Sequence, residues 1–329
     1  MTAKIAQRRS EAPGYAALLD RFDTFLFDLD GVIWTGLVLV PGVADVLTML
    51  RSKGKNILFV TNNSSKSRET YKKAFDGFGI QASVDEIFGS AYASAIYLSQ
   101  ILNFPVDKKV YVIGTKGIED ELKSVGINFT GGSDPEDRIL MPSGDHSSIN
   151  NDPSIGAVLC GGDHYINYKK YAKAHTYIMN NSGCKFLITN GDGSYPDSRG
   201  TLPGKSFLRR SLAAEPSVDH TTWHAVEPAC GAISAPISLY TGRTPTIIGK
   251  PSHYMMDCIL AAHDFDPART IMVGDNLDTD ILFGINSGIA TLLVMTGVTD
   301  ESLLSGENKS DIVPDYIVQS MGDFAVLAD

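Results

Sequence analysis

The chain has 329 residues, a formal net charge of −10, 43% hydrophobic residues and 20% charged ones. That is long enough for a well-buried core and for two domains, with the balance of an ordinary soluble protein. The acidic surplus and the lack of any Lys/Arg-rich run argue against a nucleic-acid partner, and an anionic substrate would need positive charge concentrated locally.

The first residues, MTAKIAQRRSEAPG, carry basic groups but no apolar run, so no secretory leader is expected. The apolar run at 25–27 then reads as a short buried strand and ends in FLFDLDGVIW, with Asp28 and Asp30 one residue apart ahead of Gly31. Alternate residues of an extended segment point the same way, so these carboxylates can converge. Two acids that close repel unless a cation or a proton sits between them, which favours a hard divalent metal with oxygen ligands.

Strand and helix patterns alternate from there. Residues 42–54 have helical spacing and a Gly stop, and 56–60 form a second buried strand that ends in Thr61, Asn62 and Asn63. Helices follow at 67–78 and 91–102. A strand at 110–114 and a helix at 117–126 lead into a Gly/Ser/Asp/Pro-rich stretch, 131–154, expected as an exposed loop. Next come a strand at 157–160, a helix at 168–181 and a strand at 186–189, while 193–227 has weak periodicity. A helix at 231–241 precedes a strand at 246–248 ending in Gly249, Lys250 and Pro251. The strand at 270–273 ends in GDNLDTD, and 313–318 is expected as an edge strand. The uncharged stretch 281–298 could pass for a membrane span, but Gly284, Asn286, Ser287 and Gly288 break it into a helix end and a strand. This order predicts an α/β fold with a doubly wound parallel sheet.

Four strands thus end in loaded tips: Asp28/Asp30, Thr61/Asn62/Asn63, Lys250 and Asp275/Asp280. Tips on one edge of a parallel sheet lie together. These carboxylates, a hydroxyl with backbone N–H groups and an ammonium are equipment for a phosphoryl group. The four cysteines, Cys160, Cys184, Cys230 and Cys258, lie far apart with no CxxC pair and read as buried thiols of a reducing, cytoplasmic protein. Neither nucleic acid nor membrane is expected as a partner.

DLDG at 28–31, the strand-end Thr61, Lys250 before Pro251 and GDNLDTD at 274–280 resemble the motifs of the haloacid dehalogenase (HAD) superfamily of phosphohydrolases across nearly the whole chain. FVTNNSSKSR, TNGDGSYP and TGRTPTIIGKPS narrow the resemblance to the eukaryotic 4-nitrophenylphosphatase and phosphoglycolate phosphatase group. The resemblance implies a core from 1–103 plus 243–329, with an α/β (C2-type) cap inserted at 104–242. It implies that Asp28 is the nucleophile, forming an aspartyl-phosphate, and that Asp30 is general acid and then base. Thr61, Asn62, Asn63 and Lys250 would bind the phosphoryl group. Asp28, the backbone carbonyl of Asp30 and Asp275 would hold Mg2+, and Asp280 would fix Lys250 or a metal-bound water. The substrate would be a small phosphorylated metabolite, such as 2-phosphoglycolate, with 4-nitrophenyl phosphate as an artificial one. A phosphotransferase or phosphomutase on the same site, or a non-catalytic binding protein of this fold, are the competing readings. Relatives often pair through their caps, so a homodimer is expected.

In the cap, relatives that act on pyridoxal phosphate carry His at the position of Tyr195, which argues against that substrate here. Asp192 is either a loop-folding acid or a substrate contact, with folding preferred. The segment 197–227 is longer than in relatives and carries Arg209, Arg210, His220, Trp223 and His224. Ala229-Cys230-Gly231 departs from the usual Gly-Thr-Gly or Gly-Ala-Gly. GTLPGKS at 200–206 falls one residue short of a P-loop, and Pro203 interrupts it.

Overall fold

The computed structural model describes residues 6–142, 144–193, 196–197, 200–201, 229–306 and 309–328. The chain divides into two compact units, one of Met1–Thr61, Arg68–Gly89 and Lys250–Asp329, the other of Asn62–Ser67 and Ser90–Gly249. In the first, β1 (Gln7–Arg8) leads to α1 (Ala12–Arg21), whose Pro13 occupies the first turn, where no N–H is needed. Strand β2 (Thr24–Phe27) is buried at every position, as a central parallel strand covered on both faces must be. A hairpin, β3 (Trp34–Thr35) and β4 (Val38–Leu39), follows. Helix α2 (Val43–Ser52) buries Val43, Val46, Leu47 and Leu50, the spacing that keeps apolar side chains on one face. Then come β5 (Asn56–Thr61), α3 (Arg68–Gly77) and β6 (Ile87–Gly89).

The second unit runs through α4 (Ser90–Ile96), β7 (Lys109–Ile113), α5 (Lys116–Ser124), β8 (Phe129–Gly131), β9 (Ile155–Cys160), α6 (Tyr168–Asn180) and β10 (Lys185–Ile188). A short antiparallel pair, β11 (Pro196–Asp197) and β12 (Gly200–Thr201), precedes α7 (Cys230–Thr241) and β13 (Thr246–Ile247). The first unit then closes with α8 (His253–Ala262), β14 (Thr270–Gly274), a π turn at Leu277–Ile281 running into α9 (Leu282–Asn286), β15 (Ala290–Val294) and β16 (Tyr316–Val318).

The first unit holds a parallel sheet in the order β1-β16-β15-β14-β2-β5-β6. From β2 the chain builds outward to β5 and β6, and after the second unit it returns to β14 on the opposite side of β2. That reversal makes the carboxyl ends of β2 and β14 the switch point of the sheet, where an open α/β sheet has its crevice. The second unit holds a separate parallel sheet, β13-β10-β9-β7-β8. Its core packs Tyr111 edge-on against Tyr177 beside Ala174, Ile178, Ile233 and Ile237. Lys170 is fully buried there and donates to Asp163 at 2.6 Å and to the Gly132 carbonyl at 3.0 Å.

The parallel α/β class is as expected. The main segment of the second unit runs from Ser90 to Gly249, wider than the expected 104–242, because α4 packs on α5 and β13 pairs with β10, and Asn62–Ser67 joins it. Residues 313–318 do not form an edge strand: β1 covers the outer side of β16. Two polar residues joined by main-chain bonds carry no alternation that would announce that strand. The expected loop at 131–154 contains Asp137, which is buried and accepts from the Tyr111 hydroxyl and Lys173. All four cysteines are buried, and none is in a disulfide. Among the described residues no helix is long and apolar enough to cross a membrane.

Phe59 of β5 is fully buried, with its ring centroid 4.4 Å from Phe75 and 6.3 Å from Phe27. Truncating it leaves a cavity that neighbouring aromatics cannot collapse into. Phe59→Ala is expected to cost about 3–5 kcal/mol of unfolding free energy, measured by urea denaturation.

Candidate active site

Strand β2 ends one residue before Asp28, and the Asp28 N–H donates to the Val273 carbonyl of β14 at 2.9 Å, which locks the two tips side by side. The side chain is 14% exposed, leaving an opening for a reacting atom. Lys250, 1% exposed, sends its ammonium to Asp28 Oδ1 at 2.7 Å, Asp280 Oδ1 at 2.7 Å and the Val60 carbonyl at 2.8 Å. An ammonium has three N–H bonds, and this geometry supplies an acceptor for each. The peptide bond between Lys250 and Pro251 is cis.

Asp275 follows β14. Its Oδ2 accepts from the Val298 N–H at 2.7 Å. Two glycines clear its surroundings: a Cβ on Gly297 would stand 1.7 Å from Asp275 Oδ2, and one on Gly31 2.5 Å from it. Gly31 also has φ +87°, so the turn after Asp30 needs glycine twice over. Asp280, in the π turn, joins its Oδ2 to the Asn276 N–H at 3.1 Å, and a Cβ on Gly274 would lie 2.1 Å from the Asp280 Cβ.

Asp28, Asp275 and Asp280 can bring one carboxylate oxygen each within 4.8 Å of one another. One ammonium cannot balance them. Burial, with Asp280 and Asp30 adding to it against the pull of Lys250, pushes Asp28 up to about 7. Burial, Asp280 and Asp28 likewise hold Asp275 well above the carboxylate range. Burial lowers Lys250, but Asp28 and Asp280 outweigh it and leave the ammonium firmly charged. Hard oxygen donors, buried excess negative charge and the two-glycine clearing beside Asp275 fit a divalent cation.

Asp30 is exposed and accepts from Trp34 Nε1 at 3.0 Å. Its carboxylate is not one of the three that cluster; its expected tie to a metal is through the backbone carbonyl. Thr61 is buried at the end of β5, next to the Val60 carbonyl that Lys250 grips. Asn62 and Asn63 belong to the second unit. The Asn62 amide donates to Asp192 Oδ2 at 2.9 Å, and Asn63 Oδ1 folds its own loop by accepting from the Ser65 N–H and hydroxyl. Asp192 accordingly has a folding partner in Asn62. Tyr195, Arg209, Arg210, His220, Trp223, His224 and most of GTLPGKS lie outside the described residues. Sequence reasoning missed Trp34 as the partner of Asp30, the Val60 carbonyl, and Gly297. A glycine three residues past the end of a buried strand was the available signal for the last.

Comparisons with known proteins point to one family. Residues 25–128 match the family model described as haloacid dehalogenase-like hydrolase, and 247–324 match one described as HAD-hydrolase-like. The 4-nitrophenylphosphatase of Schizosaccharomyces pombe is 43% identical over 98% of this chain and 100% of its own length. Phosphoglycolate phosphatase 2 of Arabidopsis thaliana is 42% identical over 99% of each. The crystal structure of a double-mutant thermostable NPPase from Geobacillus stearothermophilus superposes with a TM-score of 0.69 at 30% identity, covering 92% of this chain and 98% of that one.

The crowded carboxyls tie stability to pH. Folded Asp28 and Asp275 bind protons more tightly than in the unfolded chain, so folding gains from them at low pH, and the Asp28 share of that gain is lost as pH rises through about 7. In chelator, the urea midpoint is expected to fall between pH 5 and 8, and a millimolar divalent cation should flatten the fall. A midpoint independent of pH in chelator would show that these carboxyls titrate alike in both states.

Proposed function

The chain belongs to the haloacid dehalogenase-like hydrolases, among their 4-nitrophenylphosphatase and phosphoglycolate phosphatase members, and from that premise we propose a Mg2+-dependent phosphatase of small phosphomonoesters acting through an aspartyl-phosphate on Asp28. The observation that carries this reading is the Lys250 ammonium held between Asp28 and Asp280 at 2.7 Å each, with Asp275 beside them.

In this reading an Asp28 carboxylate oxygen attacks phosphorus and the bond to the alcohol oxygen breaks. Asp30 gives that oxygen a proton as it leaves. It then takes a proton from the water that attacks the acyl phosphate, which restores Asp28 and releases inorganic phosphate. The Trp34 N–H, 3.0 Å from Asp30, holds the carboxylate in one orientation between the two transfers. Lys250 favours the ionised form of Asp28, against the burial that raises its pKa, and offsets charge as the phosphoryl oxygens arrive. Thr61, with backbone N–H groups beyond it, orients those oxygens. Asp28, Asp275 and the carbonyl of Asp30 would hold Mg2+, which supplies positive charge that nucleophile and phosphate can share. Asp280 serves by fixing Lys250.

The names of the relatives support 2-phosphoglycolate-like esters as substrates, with 4-nitrophenyl phosphate as an artificial one. Four buried thiols, none in a disulfide, fit a reducing, cytoplasmic setting. The same reading has a small phosphorylated metabolite as sole substrate partner, neither nucleic acid nor membrane, and pairing of two copies through the second unit.

Phosphate release from 2-phosphoglycolate, 4-nitrophenyl phosphate, pyridoxal phosphate and sugar phosphates, with Mg2+ and with EDTA, tests the reading. Turnover should require the metal and favour phosphoglycolate. Asp28→Asn should abolish turnover and the hydroxylamine-reactive acyl phosphate. Asp30→Asn should cut kcat on the order of 10²–10⁴-fold, more for alkyl esters than for the nitrophenyl ester, whose leaving group needs less help from a proton. Full turnover by Asp28→Asn would end the covalent mechanism.

A further inference from the structure

The chain after Thr61 enters the second unit, and that unit is shaped to receive it. A Cβ on Gly117 would lie 2.6 Å from Lys66 N and Ser64 O, one on Gly161 2.8 Å from Ser64 Oγ, and one on Gly249 2.6 Å from Asn62 Oδ1. None of these glycines has positive φ, so close approach is what requires them.

Two side chains from the loop after β10 then take hold of Asn62. Asn190 Nδ2 donates to the Asn62 carbonyl at 2.7 Å, and Asp192 Oδ2 accepts from Asn62 Nδ2 at 2.9 Å. The loop is braced in turn. Asn190 Oδ1 accepts from the Asp192 N–H at 3.1 Å, the Gly231 N–H at the start of α7 donates to the Asp192 carbonyl at 2.7 Å, and a Cβ on Gly231 would stand 2.5 Å from the Gly191 carbonyl. At its start, the Thr189 carbonyl accepts from the Gly249 N–H at 2.8 Å. Residues 189–192 therefore bond both the residue after Thr61 and the residue before Lys250, two positions far apart in sequence.

We propose that Asp192 and Asn190 are positioning residues for the phosphoryl group: by clamping Asn62, with Thr189 on Gly249, they fix the two chain segments that present Thr61 and Lys250. Asp192 acts on the phosphate end that every substrate shares, and it does not select the alcohol end. This inference rests on the phosphatase reading above.

The test is a cycle of Asp192→Ala, Asn62→Ala and the double variant, with Asp192→Asn as the conservative control that keeps an oxygen acceptor. A misplaced catalytic segment costs up to about 10²-fold, so Asp192→Ala should lose about ten- to a hundredfold in kcat/KM. The loss should be the same for 2-phosphoglycolate and 4-nitrophenyl phosphate. The double variant should be no worse than the poorer single one, and Asp192→Asn should recover most of the activity. Inorganic phosphate binding, followed by calorimetry, should weaken in Asp192→Ala while the urea midpoint stays near wild type. Phosphate binding reads the inference without turnover, so a wild-type chain that binds phosphate but hydrolyses nothing would count against the phosphatase reading alone. A loss confined to one ester, additive effects of the two alanines, or unchanged phosphate affinity would each overturn the positioning role.

Discussion

Too many carboxylates meet at one sheet edge, and the rest of the structure is arranged around that fact. Asp28, Asp275 and Asp280 approach within 4.8 Å, all largely removed from water, with a single buried ammonium among them. Like charges at that distance raise one another's pKa, and desolvation adds to the effect. Lys250 relieves part of it by touching two of the three carboxylates and spending its third N–H on the Val60 carbonyl. That last bond ties the cation to the strand next to β2. A lysine so held is a fixed electrostatic element, with none of the freedom of a surface side chain.

Backbone economy around this cluster follows from the same constraint. Gly31, Gly274 and Gly297 all stand where a single methyl group would strike Asp275 or Asp280. Charged groups can be brought this close only if the backbone carrying their neighbours has no side chain of its own. The parallel sheet contributes the other half: with β2 central, strands on both sides deliver their tips to the same edge. The chain leaves the first unit directly after Thr61, returns at Arg68, leaves again after Gly89 and re-enters at Lys250, so the short excursion begins, and the long one ends, beside a residue of the site.

How much of this could be read from residues alone depended on the kind of force involved. Buried parallel strands are near-continuous apolar runs, and their polar tips stand out against them, which is why Asp28, Thr61, Lys250 and Asp275 were legible as a set. The Asp280 spacing was legible too, as part of GDNLDTD, although its direct grip on Lys250 needed coordinates. Strand β1 was invisible because Gln7 and Arg8 are held by main-chain bonds that leave no mark on side-chain pattern. Asn62 and Asp192 are 130 positions apart, and a hydrogen bond across such a distance has no local signature.

Asn62 and Asn63 carry the more general point. By residue type and place they read as donors to a phosphoryl group. In the folded chain the Asn62 side-chain amide donates to Asp192, its main-chain carbonyl accepts from Asn190, and the Asn63 side-chain oxygen closes a turn by accepting from Ser65. Short amides of this kind compete well for nearby backbone, which is the reason they favour turns. What these bonds do is order the loop that follows the buried Thr61. A side chain that orders a binding loop has the same sequence signature as one that touches the ligand. Only its partners distinguish the two, and here those are Asn190 and Asp192, in the loop after β10, for Asn62 and the nearby Ser65 for Asn63.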